Sequence, residues 1–518
     1  MRLLTAVDQL FLLLESRKQP MHVGGLFLFE LPADADSGFV CQLVKQMQDS
    51  DVSPTFPFNQ VLEHLAFWNK DKHFDVEHHL HHVALPKPAR VRELLMYVSR
   101  EHGRLLDRAM PLWECHVIEG IQPENEGSPE RFALYFKIHH SLVDGIAAMR
   151  LVKKSLSQSP TEPVTLPIWS LMARHRNQVD AILPKERSAL RIIKEQISTV
   201  KPVFTELLDN LKNYGDDSYV STFAAPMSVL NKRISASRRI AAQSYDIQRF
   251  NDIAERLNIS KNDVVLAVCA GAIRRYLLSL DALPSKPLIA FVPMSLRTDD
   301  SVSGNQLSFV LANLGTHLDD PLSRVKLIHR SMNNGKRRFR RMNQAQVINY
   351  SIVSYAWEGV NLLTGLFPRK QAFNLIISNV PGSEKPLYWN GARLQSLYPA
   401  SIILSGQAMN ITLASYLDKI EFGITACSKA LPHVQEMLTL IEEELQLLET
   451  TSKALHFQGI TVQDKDGYKN KDNNKNTQGL SNDNKQSIFN FMEFDDVEDN
   501  MIIQKNGTRF LMVIECRG

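Results

Sequence analysis

Apolar and polar positions alternate along this chain in short runs, and the pattern is clearest between residues 112 and 154. Leu112-Trp113-Glu114-Cys115-His116-Val117-Ile118 alternates as a half-buried strand does. Phe132-Ala133-Leu134-Tyr135-Phe136-Lys137-Ile138 is apolar, aromatic and short, as a largely buried strand should be. The polar stretch from Gln122 to Pro129 reads as a loop, which makes the two strands antiparallel neighbours. After them, Ile146 to Lys154 has helix-forming composition with apolar residues three and four apart.

From about Pro167 to Tyr214 the pattern turns helical and polar, with Lys185, Glu186, Arg187, Lys194 and Glu195 set between apolar residues. This predicts a helical connector. A second mixed segment follows, roughly Pro226 to Glu449, with Asn262 as an N-cap candidate for a helix through Val264, Leu266, Val268 and Ile273. Ala267, Ala270 and Gly271 would let that helix pack closely. The boundaries are a first lobe over 1–160, the connector over 161–225 and a second lobe over 226–454. An Asn/Lys/Asp-rich stretch over 455–486 has almost no large apolar residue and predicts a disordered linker. In the tail over 487–518, Met501–Lys505 and Thr508–Ile514 flank Asn506-Gly507, a strong type I′ hairpin signal. It reads as the opening strands of a further domain, with no role assigned.

Composition adds bounds. The chain has 518 residues, 44% hydrophobic and 22% charged, as in an ordinary globular protein. A net charge of +3 is too mild to argue for nucleic acid. Cys41, Cys115, Cys269, Cys427 and Cys516 are scattered and lack a CxxC pair, which points to a reducing compartment without disulfides or structural zinc. Asp8, Gln9 and Glu15 interrupt the apolar residues at the N-terminus, so no signal peptide is expected. No run is long and apolar enough for a membrane span.

The chemistry concentrates at His139-His140-Ser141-Leu142-Val143-Asp144-Gly145, where the second strand gives way to the helix. An imidazole there can take a proton near neutral pH while a rigid element holds it. In one reading His140 is a general base, Asp144 caps the helix or anchors the loop through an ion pair, and Gly145 lets the backbone turn. In the other, two histidines end a strand and Asp144 is only a cap. His78, His79, His81 and His82 form no converging metal set on a strand, because neighbours point to opposite faces. The run Lys336-Arg337-Arg338-Phe339-Arg340-Arg341 is a solvated basic face, or else a contact for CoA phosphates or anionic lipid.

Further blocks accompany the HHxxxDG segment. They are Thr5-Ala6-Val7-Asp8, Met21-His22-Val23-Gly24-Gly25, Leu106-Asp107-Arg108 and Pro111-Leu112-Trp113-Glu114 before it. Asn262-Asp263-Val264-Val265-Leu266-Ala267, Pro293-Met294-Ser295-Leu296-Arg297, Ser378-Asn379-Val380-Pro381-Gly382 and Ser415-Tyr416 follow it. On these blocks the chain resembles the bacterial wax ester synthase/diacylglycerol acyltransferase family, from roughly Leu4 to Leu448.

The resemblance implies an α/β fold of two chloramphenicol-acetyltransferase-like lobes joined by the helical connector, with an active-site tunnel at their junction. It implies acyl-CoA as co-substrate, no other cofactor and no metal, and direct acyl transfer to a long-chain alcohol or diacylglycerol. His140 would be the base with His139 beside it, Asn262 a candidate oxyanion donor, and Arg297 the structural partner of Asp144. A covalent route through Ser141 is disfavoured, since no GxSxG elbow is present. The expected setting is cytoplasmic, peripheral to the inner membrane face or lipid inclusions, without nucleic acid. The alternatives are a condensation-type acyltransferase and a non-catalytic protein coating storage lipid.

Overall fold

The computed structural model describes residues 2–4, 6–50, 52–63, 67–143, 145–164, 166–171, 218, 220, 225–295, 307–340, 372–457, 501–505 and 508–512. The chain divides into two compact units, Met1–Gln463 and Asp464–Gly518.

The first unit opens with β1 (Arg2–Leu3), α1 (Ala6–Leu14), β2 (His22–Glu30) and α2 (Phe39–Gln48). It continues through β3 (Gln60–Glu63), β4 (Phe67–Lys70), β5 (Leu80–Ala84) and α3 (Val91–His102). Then come β6 (Trp113–Ile121), β7 (Arg131–His139) and α4 (Gly145–Ser155). The antiparallel β6–β7 pair and the helix after it are the elements expected from the hydrophobic pattern.

The second half holds β8 (Arg238–Asp246), α5 (Ile247–Leu257), α6 (Lys261–Ser279), β9 (Ile289–Ser295), β10 (Leu307–Asn313) and α7 (Pro321–Arg340). It ends with β11 (Leu375–Val380), β12 (Tyr388–Trp389), β13 (Ala392–Ala400), β14 (Met409–Tyr416), β15 (Lys419–Cys427) and α8 (Glu436–Phe457). Most of the expected connector, residues 172–217, lies outside the described residues.

Two six-stranded sheets carry the architecture. One runs β12-β13-β2-β7-β6-β5 and the other β10-β9-β11-β14-β15-β8. The lobes are therefore not consecutive stretches of sequence. β13 belongs to the second half but pairs with β2 in the first sheet, from Arg393↔Glu30 to Ala400↔Gly24. Alternation explains the layering: α3 packs on one face of the first sheet through Leu94 and Val98, and α4 on the other through Leu151 and Val152. The four helices α5 to α8 contribute to the buried cluster of the second sheet.

Asn262 is not the cap of α6. Ser260 is, accepting from the Asp263 amide at 3.2 Å while the Asp263 carboxylate accepts from the Ser260 amide at 3.2 Å. Two orphan donors are thus satisfied reciprocally, and Asn262 lies inside the first turn. The expected close packing of this helix is present: a Cβ on Gly271 would stand 1.9 Å from a carboxylate oxygen of Glu444 on α8. That carboxylate is held by Arg275 at 2.6 Å and Arg324 at 2.8 Å.

α8 runs three residues past the boundary expected at 454. In the second unit, β16 (Met501–Lys505) and β17 (Thr508–Met512) pair antiparallel about the Asn-Gly position, as the hairpin signal predicts. Residues 458–500, which include nearly all of the expected linker, lie outside the described residues.

Candidate active site

β7 delivers both histidines of the motif to the end of the first sheet and separates their surroundings. The His139 amide donates to Leu112 O at 3.0 Å, and the His140 amide to Met21 O at 2.8 Å. The backbone is therefore pinned on both sides where the strand turns. His139 is fully buried, whereas His140 is half-buried and lays its ring on Phe11 of α1, centroids 4.5 Å apart.

Behind His140 lies a buried polar set. Nδ1 of His139 accepts from the Ser141 hydroxyl at 2.7 Å and faces the Ser141 amide at 3.2 Å. The ring proton therefore belongs on Nε2, which stands 3.4 Å from Glu15. Glu15 also accepts from the Met21 amide at 3.2 Å and from Arg108 at 3.0 Å. Burial pushes its carboxyl up, but His139, the Met21 amide and Arg108 outweigh that and hold it below the ordinary value.

His22, opposite His139 in the β2–β7 register, donates from Nε2 to His102 O at 2.9 Å. Burial holds its pKa well below the ordinary value, so it is neutral. His102 is also neutral: burial lowers its pKa to about 3. It sits between Ser401 O at 3.1 Å and the Tyr135 hydroxyl at 2.8 Å. The neighbouring charges are paired, Lys137 with Glu114 at 2.7 Å.

On the other face, an apolar cavity of about 100 Å³ adjoins the motif. Ile138 and Val143, which bracket the two histidines, line it with Phe136, Met149, Val380 and Ala414. Strands from both sheets and α4 therefore meet around it. The Ser-Asn-Val-Pro-Gly turn needs its glycine here, because a Cβ on Gly382 would fall 1.5 Å from Ser415 O.

The other expected site residues separate into three groups. Gly145 opens α4. Asn262 lies in the first turn of α6, and no described contact joins it to His140. Asp144 and Arg297, and so any pair between them, lie outside the described residues. Phe11, Glu15 and Arg108 were not singled out for a role by sequence reasoning. The Leu-Asp-Arg block ending in Arg108 was the available signal, but nothing in the sequence pairs it with Glu15 across 93 positions.

The histidine run before Ala84 is a strand only in part: His78 ends a 3-10 turn that His79 caps, and only His81 and His82 lie on β5, pointing to opposite faces. His79 donates to Trp113 O at 2.8 Å between the rings of Phe74 and Trp113, and His82 faces Glu119 at 3.3 Å. In the basic run, Arg337 donates to Asn334 at 2.9 Å on α7, while Arg341 lies outside the described residues.

Two lobes of mixed sheet around a histidine-bearing strand end make up the fold. It is shared at TM-score 0.52 and 12% identity with a trichothecene 15-O-acetyltransferase from Fusarium sporotrichioides, over 86% of this chain and 94% of that one. Residues 4–265 match the wax ester synthase/diacylglycerol acyltransferase catalytic domain, and 303–449 match the WS/DGAT C-terminal domain. The chain belongs to the wax ester synthase/diacylglycerol acyltransferase family. It is 53% identical to an O-acyltransferase WSD of Acinetobacter baylyi over 87% of this chain and 97% of the relative. It is 41% identical to a putative diacylglycerol O-acyltransferase of Mycobacterium tuberculosis over 86% and 99%. The solved wax ester synthase/diacylglycerol acyltransferase of Marinobacter aquaeolei superposes at TM-score 0.71 with 40% identity, covering 88% of this chain and 100% of that one.

Proposed function

We propose that this chain moves a long-chain acyl group from acyl-CoA to the hydroxyl of a fatty alcohol or a diacylglycerol, with His140 as general base. The observation that carries the assignment is the half-buried His140 ring at the end of a strand whose Ile138, with Val143 of the following turn, lines an apolar cavity, while His139 is sealed. The names of the relatives supply diacylglycerol and wax ester, while acyl-CoA and the fatty alcohol follow from the family resemblance. His140 takes the acceptor's hydroxyl proton as the oxygen attacks the thioester carbonyl. A C–O bond forms, the C–S bond breaks, and the proton passes to the leaving thiolate. Base catalysis of this kind contributes roughly 10²- to 10⁴-fold, and placing both substrates in one cleft supplies more.

Asn262 as oxyanion donor and an Asp144–Arg297 pair bracing the motif belong to this reading, as does the need for no cofactor beyond acyl-CoA. So does a cytoplasmic setting at a lipid surface. Leu10 and Leu13 of α1 are 42% and 72% exposed, with the exposed Arg17 and Lys18 just beyond. No described helix is long and apolar enough to cross a membrane.

A second reading has one observation in its favour. Ser141, His139 and Glu15 align as nucleophile, base and orienting acid, at 2.7 Å and 3.4 Å. Against it, Ser141 is 8% exposed and His139 not at all, so an incoming thioester has no path to that hydroxyl. The deciding assay gives purified protein labelled palmitoyl-CoA with hexadecanol or dipalmitoylglycerol. Wax ester or triacylglycerol is the expected product. Failure with both acceptors overturns the assignment.

A further inference from the structure

We infer that His81, Glu114 and His116 form a binding site for one divalent transition-metal ion, with zinc the best fit. His81 on the edge strand β5 is the direct register partner of His116 on β6, and their rings lie 4.6 Å apart. Glu114 is two residues before His116, hence on the same face, with carboxylate and imidazole 3.3 Å apart. One donor atom from each of the three lies within 4.8 Å of the others. Zinc needs nitrogen and oxygen ligands at about 2.0–2.2 Å, so this spacing must close by a little over one ångström. The half-exposed His81 on the edge strand has the freedom to close it.

The surrounding groups suit such an ion. Nδ1 of His116 lies 2.9 Å from the Tyr97 hydroxyl. Without an ion, Nε2–H faces the Glu114 carboxylate and Nδ1 accepts from the Tyr97 hydroxyl; an ion taking Nε2 would displace that proton and leave Nδ1–H donating to the Tyr97 oxygen, which holds the metal-binding tautomer. Lys137 and His116 both engage Oε2 of Glu114, at 2.7 Å and 3.3 Å, which leaves Oε1 for the ion. A single carboxylate already matched by an ammonium cannot hold calcium or magnesium, which require several oxygens. Two imidazoles and one carboxylate suit zinc, with water in the fourth position.

Lys137, the partner of Glu114, points to the opposite face of β7 from the cavity residues Phe136 and Ile138. The ion would therefore clip the edge strand to its neighbour without entering the reaction.

The test uses the full chain, stripped with a chelator and dialysed against zinc chloride, with cobalt chloride as a spectroscopic probe. The expected result is one zinc per chain, a higher melting temperature, and visible cobalt bands typical of a tetrahedral site. His81→Ala and His116→Ala should each weaken binding at least about tenfold, by loss of one of three protein ligands. His82→Ala, on the same strand, should not. The readouts are metal content and melting temperature, with turnover unchanged by zinc. Absence of stoichiometric binding, or binding that both His81→Ala and His116→Ala retain, overturns the site. His81→Ala is the informative variant if His116→Ala fails to fold, since His81 is the more exposed of the pair.

Discussion

Ser141 turns its hydroxyl onto Nδ1 of His139, 2.7 Å away, and not toward His140. The adjacent imidazole of His140 stacks on Phe11. The two histidines thus sit in different surroundings: His139 is sealed against the turn, and His140, the proposed base, is half-buried. His140→Ala should lower turnover by at least about a hundredfold with the fold retained. Ser141→Ala removes one hydrogen bond and should cost about 1 kcal/mol of stability and only a few-fold in rate. Acyl transfer abolished equally by both changes, with both variants folded, would favour the covalent serine route.

Glu15 should matter to rate through His139 although it touches no substrate. Its side chain is 2% exposed and joins His139, the Met21 amide and Arg108. Glu15→Gln leaves Arg108 without its anion and removes the charge facing the His139 Nε2 proton. The maximal rate should fall several-fold with little change in KM, because the turn carrying His140 loses its brace. The native pKa of this carboxyl lies below its ordinary 4.5. The charged form therefore stabilises the fold above about pH 4.5, and that stabilisation is lost as pH falls through the lower native value. Glu15→Gln should flatten the acid limb of a melting-temperature profile. An unchanged limb would show that the carboxylate is not held as described.

Ala148 of α4 lines the cavity beside the motif and is half-buried. Ala148→Phe would fill space that an acyl chain needs. Each buried methylene contributes about 0.8 kcal/mol, so displacing two or three should shift preference from palmitoyl- toward octanoyl-CoA by roughly ten- to a hundredfold. Competition between the two thioesters measures it. An unchanged ratio would place the acyl chain elsewhere.

Glu421 lies buried in β15, with one oxygen on the Ser244 hydroxyl and the other without a hydrogen-bond partner. Burial pushes its pKa up to about 7, against the ordinary 4.5, and the Ser244 contact only partly offsets that. The native state holds the proton more tightly than the unfolded chain does. Stability is therefore full below about pH 4.5 and declines until pH passes about 7. Glu421→Gln should leave stability at pH 4.5 nearly unchanged and raise it at pH 8 by on the order of 2–3 kcal/mol. Parallel melting-temperature profiles for the two proteins would rule out a protonated Glu421.

What the sequence revealed and what it hid follow from separation along the chain. The β6–β7 hairpin and α4 were legible because alternation, a polar loop and helical spacing are local signals. The cap of α6 was also local: Ser260 and Asp263 stand three apart, the spacing of a reciprocal cap, yet Asn262 drew attention by residue type. β13 in the first sheet was not legible, since a register between residues 24–30 and 393–400 leaves no trace in either segment. Phe11 and Glu15 escaped for the same reason. Only the fold brings α1 against the end of β7, and it brings His81 to His116 across 35 positions of sequence in the same way.

The end of the first unit sets where the chain can be shortened. α8 buries Leu445, Leu448 and Ser452, and Leu455 still packs against the core of the second sheet. A chain ending at Ala454 therefore loses a packing side chain and the last helical turn, at a cost of about 1–2 kcal/mol. A chain ending at Phe457 keeps both. Every residue given a chemical role lies well before that point, and the hairpin of Met501–Lys505 with Thr508–Met512 belongs to the separate unit. The chain ending at Phe457 should match full-length turnover with the same acyl-CoA and alcohol, while the one ending at Ala454 melts several degrees lower. If the longer truncation folds yet loses most of its activity, residues beyond 457 take part in the reaction, and the acyltransferase unit extends past α8.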